Sequence, residues 1–446
     1  MNPPFLDQLR SLLAVSDPRP RGKFLSLALG LLCAAKPKTI TSALEWLHQG
    51  QQDWSGDYRL FSQAHWEAQA AFLPVFGQAL ASSACGRERV YTGQDDTLLR
   101  KTSKHTPGVT YARDPLSPPF QVNLVLGQRF VQTSLLLQPG GPERPWRALP
   151  VSFTLAPTPK IPKRASPQVQ AAVKAVRKQH RLSIVALEQL HFCRQQLDLQ
   201  PGGSQRWLID VVDGGYSNRT FLRGLPEHTQ AVARVRKDAK FRTCLAPAER
   251  RGARQYGPDL PTPLESLRDP NWPWHRCQLF VAGKVHTLEY KEVPRLCWPK
   301  VTQTRPLRLI LIKAPGYRLR RGSKLLYRQP AFLITTDLTT PASELIAAYL
   351  ARWEVEVNFH DEKTLLGVGQ AQVRNPQAVA RAPAFLVACY SMLLWTSIRV
   401  FGDRRTEDFD PLPAWRNTEP ARPSTRDLIR LLQRQTADCQ MNPMRN

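Results

Sequence analysis

The chain of 446 residues is long enough to bury one large core or two or three smaller ones. Its 62 Lys and Arg against 36 Asp and Glu leave a formal charge of +26, which suits a polyanionic partner, nucleic acid first. An anionic membrane surface fits less well, because the basic residues run through the whole chain instead of flanking an apolar anchor. The eight cysteines are scattered, with no CxxC pair and no Cys/His cluster, which argues against a zinc site and a disulfide scaffold and fits a reducing cytoplasm.

Taken in order, residues 1–87 read as a helical region, either a small DNA-contacting domain or a helical cap. Phe24–Ala35 follows Arg19, Arg21 and Lys23 as the apolar run of a signal peptide would. It starts late, lacks a clean cleavage site, and its 12 residues are too few to span a bilayer, so a buried helix is expected there. Thr41–His48 and Tyr58–Leu80 carry apolar residues at helical spacing. From Arg89 the pattern turns to strands. Val90–Gln94 ends in Asp95-Asp96-Thr97, and Gln121–Leu126 and Phe130–Leu137 flank a hairpin-like Gly127-Gln128. A Pro- and basic-rich connection (139–167) leads to one long helix over Gln168–Leu199. A strand over Trp207–Val212 ends at Asp213, and a short helix (Ser217–Leu225) and a strand (Ala231–Val235) follow. Three strands, helix, strand, helix, strand is the element order of the ribonuclease-H-like α/β fold, a mixed sheet flanked by helices, here over 88–236. Residues 237–336 read as a β-rich insertion, with strands at Gln278–Val281, Val285–Tyr290, Leu307–Ile312 and Ala331–Thr335. The core resumes over 337–401, where Phe385–Ile398 is expected as a core helix. Residues 402–446 form a basic, Pro-rich tail, loosely held around one helix at Thr425–Arg434.

The stretch Tyr349–Lys363, YLARWEVEVNFHDEK, reads as one helix, with Thr340 as N-cap, Pro341 at its start, and no Gly or Pro from Ala342 until Gly367. With Tyr349 at zero and about 100° per residue, Arg352 falls at about 300°, Glu356 at about 340° and Lys363 at about 320°. One carboxylate, two cations and a phenol share a stripe that Glu354, Asp361 and Glu362 do not. A cation-flanked carboxylate suits metal-dependent phosphoryl transfer, the acid holding the metal while Arg and Lys grip phosphates. Ordinary salt bridges such as Arg352 to Glu356 are the alternative. The spacing Tyr-x2-Arg-x3-Glu-x6-Lys resembles the signature around the third acidic residue of bacterial insertion-sequence DDE transposases, in the cut-and-paste group that frees its element through DNA hairpins. The resemblance covers about residues 90–400. It implies Asp95, after the first strand, as the first catalytic acid, Asp213, before its Gly-Gly turn, as the second, and Glu356 as the third. Asp96 is a rival for the first position, because the doubled aspartate lets the match slip by one. In this fold the first and fourth strands are neighbours, so three carboxylates would converge and their repulsion calls for divalent metal. His360, near the stripe, either approaches the site or, the better expectation, faces solvent or a satisfied partner; Trp353 either stacks on a DNA base or, the better expectation, packs in the core. Lys101, Lys104 and His105 form a basic loop that either touches phosphate or is simply solvated.

The function expected is therefore a transposase: metal-dependent cleavage at element ends and strand transfer into target DNA, in the cytoplasm and associated with the nucleoid. Two Mg2+ or Mn2+ ions would be held by Asp95, Asp213 and Glu356. With no GxxxxGK[ST] loop, no nucleotide is expected. The partners implied are double-stranded DNA, at element ends and target, and a second copy of the chain assembled on that DNA, with no membrane. Tyr349, Arg352 and Lys363 would contact DNA. In the hairpin route that the resemblance implies, a Trp of the insertion stacks on an extruded base, and Trp272, Trp274 and Trp298 are the candidates. A ribonuclease-H-like nuclease that cuts without joining and a non-catalytic DNA-binding derivative are the alternatives.

Overall fold

The structure, a computed structural model, describes residues 4–12, 21–35, 37–63, 65–114, 117–118, 120–141, 144–252, 254–281, 284–317, 324, 326–371, 373–416 and 418–441; Arg19 and the last five residues of the tail lie outside them. Among the described residues the chain opens with α1 (Pro4–Leu12), α2 (Arg21–Cys33), α3 (Ile40–Trp46), α4 (Ser55–Ser62) and α5 (Leu73–Leu80). β1 (Arg89–Arg100), β2 (Thr110–Arg113), β3 (Leu124–Leu137) and β4 (Arg147–Leu155) follow. Next come α6 (Pro167–Gln179), α7 (Leu182–Asp198), β5 (Trp207–Val212), α8 (Arg219–Arg223) and β6 (Thr229–Arg234). The β-rich segment holds β7 (Arg242–Cys244), β8 (Tyr256–Asp259), α9 (Pro263–Arg268), β9 (His275–Val281), β10 (Lys284–Trp298), β11 (Gln303–Ile312), β12 (Gly316–Tyr317), β13 (Leu326–Tyr327) and β14 (Ala331–Thr335). The chain closes with α10 (Ala342–Ala351), α11 (Trp353–Thr364), α12 (Ala378–Phe401) and α13 (Thr425–Met441).

Several expectations change, each for a local reason. β1 runs on through Asp95-Asp96-Thr97 to Arg100 instead of ending at Gln94, because Thr97, Leu98 and Leu99 beyond the acids are buried. β3 is continuous across Gly127-Gln128, not a hairpin. A Cβ on Gly127 would stand 2.8 Å from the Leu99 carbonyl oxygen, so the glycine admits close approach of β1. β4 lies inside what reads as a connection. Pro150 hides it from a strand pattern and is tolerated where the β3–β4 register shifts, between Thr133 and Ser134. The single helix expected over Gln168–Leu199 is two, interrupted at His180 (φ −98°, ψ 23°). The Tyr349–Lys363 stretch is also two helices, with Arg352 between them still in helical geometry (φ −53°, ψ −29°), and the N-cap is Pro341 instead of Thr340.

The chain forms two compact units. The first comprises residues 1–85, 95–189 and 354–446. Here β3 pairs antiparallel with β2 and β4, and the second half of β1 runs beside it, where the Lys101 N–H donates to the Leu126 carbonyl at 2.9 Å. α2 is the buried helix expected, with Leu27, Ala28 and Leu32 fully covered. α12 is long and apolar enough by composition to cross a membrane, yet every residue from Phe385 to Ile398 is buried inside this unit, as expected of a core helix. The tail is not loose. α13 buries Leu428, Leu431 and Leu432, and Arg405 reaches Asp427 at 2.9 Å. Arg147 of β4 holds Asp403 through two hydrogen bonds of 2.7 and 3.0 Å, both side chains about 5% exposed.

The second unit comprises residues 86–94 and 190–353. Its mixed sheet runs from the first half of β1 through β5, β6, β14, β11, β10 and β7 to β8, with β9 added on β10. β1–β5 and β5–β6 are parallel and the other pairs antiparallel. β5, WLIDVV, is buried at every position except Trp207, as an interior parallel strand covered on both faces requires. α10 packs on β5 and β6, burying Leu345, Ile346 and Ala348. The 237–336 segment is β-rich as expected, and its last strand, β14, pairs directly with β6, Ile334 opposite Ala233. Cys244 on β7 and Cys297 on β10 form a disulfide. Their separation of 53 residues leaves no spacing pattern to read in the sequence, and the pair is one cross-link, not a scaffold.

Candidate active site

In the second unit β5 delivers Asp213 just past its carboxyl end, in extended geometry, followed by the exposed Gly214 and Gly215. Ligands in open α/β sheets bind at the carboxyl ends of parallel strands. A cavity of 880 Å3 opens there, lined by Asp213, the glycines, Arg234, Arg236, Lys237, Asp238 and Trp298 among others. Arg234 ends β6 and Trp298 ends β10, its ring edge-on to Phe241 at 5.3 Å. Three cations and an indole thus face the same space as the aspartate. The Tyr349 phenol lies within electrostatic reach of this group. Burial foremost raises its pKa, with Asp213 adding, while Arg352 and Arg234 pull it back. The Arg352 guanidinium sits 6.0 Å from the Tyr349 ring centre.

The other two insertion tryptophans stand elsewhere in this unit and do not line the cavity. Trp274 is 42% exposed, with the Lys291 and Lys313 ammonium groups 4.7 and 5.2 Å from its ring centre. Trp272 is half-buried beside Asp269, whose carbonyl accepts its N–H at 3.4 Å. Trp353, expected in the core, is 63% exposed.

Asp210 lies three residues before Asp213, so strand alternation turns it to the opposite face of β5. It is fully buried, accepts the Thr92 hydroxyl at 2.7 Å, and its Oδ2 meets no hydrogen-bond partner among the described residues. Burial pushes its carboxyl up to about 7, with the Thr92 and Val211 hydrogen bonds opposing. Because the folded pKa exceeds the unfolded one, the stability it lends is complete below about pH 4 and is lost as pH rises through about 7. Asp210→Asn, which cannot ionise, is therefore expected to match the parent near pH 4 and to be more stable by roughly 2–4 kcal/mol at pH 8, read from urea unfolding at each pH.

In the first unit Asp95 and Asp96 are half-buried on the second half of β1. The Asp96 N–H donates to Asp95 Oδ1 at 2.8 Å, and Asp96 Oδ2 lies 3.2 Å from Arg129 Nε on β3. Glu356 is half-buried on α11. Lys363 is exposed at its end. Burial of its stem lowers the ammonium pKa, Glu362 and Asp96 oppose, and Arg100 adds to the lowering. A second cavity, of 700 Å3, is lined by Arg100, Lys101, Asp114, Lys363 and Gly369 among others. Lys101 is no solvated loop residue: its ammonium donates to the Gly369 and Ala371 carbonyls, and burial brings its pKa down to about 8. Lys104 and His105 are exposed. The other acids of α11 have structural partners. Glu354 pairs with Arg422 at 2.6 Å, Asp361 accepts the Thr425 hydroxyl at 2.6 Å, and the buried Glu362 accepts the Gln132 amide at 2.9 Å. His360 faces solvent beside Asp361, as expected.

Among the described residues no three His, Cys, Asp or Glu side chains stand close enough to cage a metal. As donors, Asp95, Asp213 and Glu356 suit hard divalent cations one by one, each a half-buried carboxylate. A family model described as DDE superfamily endonuclease matches residues 11–287, more than half of the chain. The chain belongs to the DDE superfamily of endonucleases. A second model, the transposase DDE domain, matches residues 193–392, which take in Asp213, its cavity and the Tyr349–Lys363 stretch. Comparison with the curated proteins gives no match. As a DDE superfamily member the chain is an enzyme of the nuclease and transposase class, with DNA as its substrate partner, in a superfamily that generally depends on divalent metal. The mixed sheet flanked by helices agrees with the ribonuclease-H-like core expected of such a DDE enzyme. Reading the acids alone missed Arg234, Arg236 and Lys237. The signal was present in Arg-Val-Arg-Lys, a basic run at the carboxyl end of the strand beside the one ending at Asp213.

Proposed function

We propose that this DDE enzyme is a cut-and-paste transposase that nicks DNA at element ends, closes them as hairpins and joins the freed ends to target DNA. Asp95, Asp213 and Glu356 are the metal-binding carboxylates, for two Mg2+ or Mn2+ ions, without a nucleotide. The observation that carries this reading is the cavity shared by Asp213, Trp298 and three cations. It joins an acid to phosphate-gripping groups and to an aromatic surface that a base can cover. Asp96 is the rival for the first position, and its contact with Arg129 Nε at 3.2 Å favours Asp95.

A bound divalent metal would supply an activated water or 3′-hydroxyl and stabilise the leaving oxygen. The chain's own side chains bind and orient the DNA. Arg234, Arg236 and Lys237 grip the phosphates flanking the scissile bond, and Tyr349, Arg352 and Lys363 hold the same backbone. Trp298 stacks on the base displaced when an end is bent into a hairpin, and such stacking contributes about 1–3 kcal/mol per base. The enzyme works on DNA of the nucleoid in the cytoplasm, as a homodimer assembled on paired ends. The division into a helical region (1–87), a core (88–236 and 337–401), an insertion (237–336) and a tail (402–446) belongs to the same proposal.

The test follows labelled element ends on a denaturing gel and asks whether they become joined to a plasmid target. Nick, hairpin, opened end and joined product should appear in that order. Trp298→Ala should nick at the parent rate and form hairpins roughly tenfold to a hundredfold more slowly. Trp272→Ala and Trp274→Ala should form hairpins normally. Open ends without any hairpin at every time point would remove the hairpin route, and cutting without joining would leave a plain nuclease.

A further inference from the structure

The amino end of the β1–β5 ladder, opposite the Asp213 end, carries a basic pocket that the cleavage chemistry does not use. It encloses 410 Å3 between Arg87, Arg89, Gln205, Arg206 and Trp207, with Glu88 as its acidic residue. All of these residues belong to the second unit, as Asp213 does. Arg89 and Trp207 form the first pair of the ladder whose last pair is Gln94 with Val212. Five residue steps at about 3.3 Å each put the pocket about 17 Å from the Asp213 end. That line runs through the buried ladder, so DNA that reaches both ends passes around the unit over at least about five base-pair steps at 3.4 Å each.

The groups present suit a sugar-phosphate backbone. Arg87 is exposed. Arg206 donates to the Gly86 carbonyl at 2.6 Å. Arg89 lies 3.6 Å from Glu88 and 3.8 Å from Glu344, both loose pairs. A guanidinium carries five N–H donors, so the exposed Arg87 and the loosely paired Arg89 offer donors to a phosphate. Trp207 is 40% exposed, with its other side tilted on the His228 ring at 5.0 Å. Its open face offers apolar area for a deoxyribose.

We propose that this pocket is a second DNA subsite, which takes backbone phosphates of duplex DNA at least half a helical turn from the bond that is cut, with Trp207 packed on the sugar between them. The inference rests on the DNA-cleaving reading of the Asp213 end. The DNA held could be sequence flanking the element end or target DNA, and the experiment separates the two. The full chain is assayed with fluorescent duplexes carrying an element end, one with a flank stopping near the cut and one with a flank long enough to pass the pocket, and separately with target duplex.

Arg87→Ala and Trp207→Ala are expected to weaken binding of the long-flanked end several-fold. Arg87→Ala should also lower the salt slope of that binding by about one. Both variants should bind and nick the short-flanked end as the parent does, and Trp207→Phe should restore most of the loss. If the loss falls on target duplex while both end substrates are unaffected, the subsite holds target DNA. Parent-like binding by both variants on every duplex overturns the inference, as does equal loss on short and long flanks. Arg87 is exposed, so its variant keeps the test open even if Trp207→Ala fails to fold. A parent chain that binds and cuts no DNA is a different outcome, and overturns the DNA reading itself.

Discussion

Asp213→Asn is expected to slow cleavage at element ends by about a thousandfold or more, a loss of about 4 kcal/mol in transition-state stabilisation, with duplex affinity unchanged or slightly tighter. The direction of the binding effect follows from the cavity. Asp213 shares it with Arg234, Arg236 and Lys237, so neutralising the carboxylate removes a repulsion toward phosphate and no cation. What is lost is the oxygen charge that a divalent ion needs. Asp95→Asn and Glu356→Gln should behave alike, and chelation of divalent metal should reproduce all three. Asp96→Asn should cleave nearly normally, since Asp96 pairs with Arg129. A dead Asp96 variant beside a competent Asp95 variant would move the first assignment by one residue. Glu354→Ala should cost stability, not rate, because its partner is Arg422. Gel assays for cleavage and fluorescence anisotropy for binding separate these outcomes.

Asp403→Ala is expected to cost about 3–5 kcal/mol of stability in the first unit, the usual penalty for stranding one member of a buried ion pair. Arg147 donates to both Asp403 oxygens and to the Pro423 carbonyl from a site closed to water. Without the carboxylate its charge keeps a single carbonyl acceptor among those contacts, and the turn after α12 loses the clamp that ties it to β4. Replacing both partners, as Arg147→Met with Asp403→Leu, should recover most of the loss, because the burial cost of both charges disappears together. Thermal and urea unfolding of the single and double variants measure this directly. A single variant as stable as the parent would show that water reaches Arg147.

Features set by local composition were legible in the sequence. Trp207–Val212 is an apolar, β-rich run interrupted only by Asp210 and closed by Asp213 and two glycines, and it is β5 residue for residue. The apolar helices α2 and α12 and the β-rich character of residues 237–336 were visible for the same reason: burial on several faces demands continuous apolar sequence, whatever the partners. The four-point spacing of Tyr349, Arg352, Glu356 and Lys363 led to the DDE family. Other features depend on what lies alongside in space. Asp95 and Asp96 read as the end of a strand, yet β1 continues because Leu98 and Leu99 find a buried setting beyond them. Gly127 and Pro150 look like turn residues, but one admits a neighbouring strand and the other sits at a register shift. Three tryptophans were equal candidates in the sequence, and the tertiary structure put Trp298, alone of the three, in the cavity with Asp213. The β5–β6 pairing brought in Arg234, Arg236 and Lys237, and the β7–β10 pairing joined Cys244 to Cys297. Periodicity reports which side of an element is covered, whereas the partner that covers it is chosen by non-local strand pairing, which leaves no mark within a window of a dozen residues.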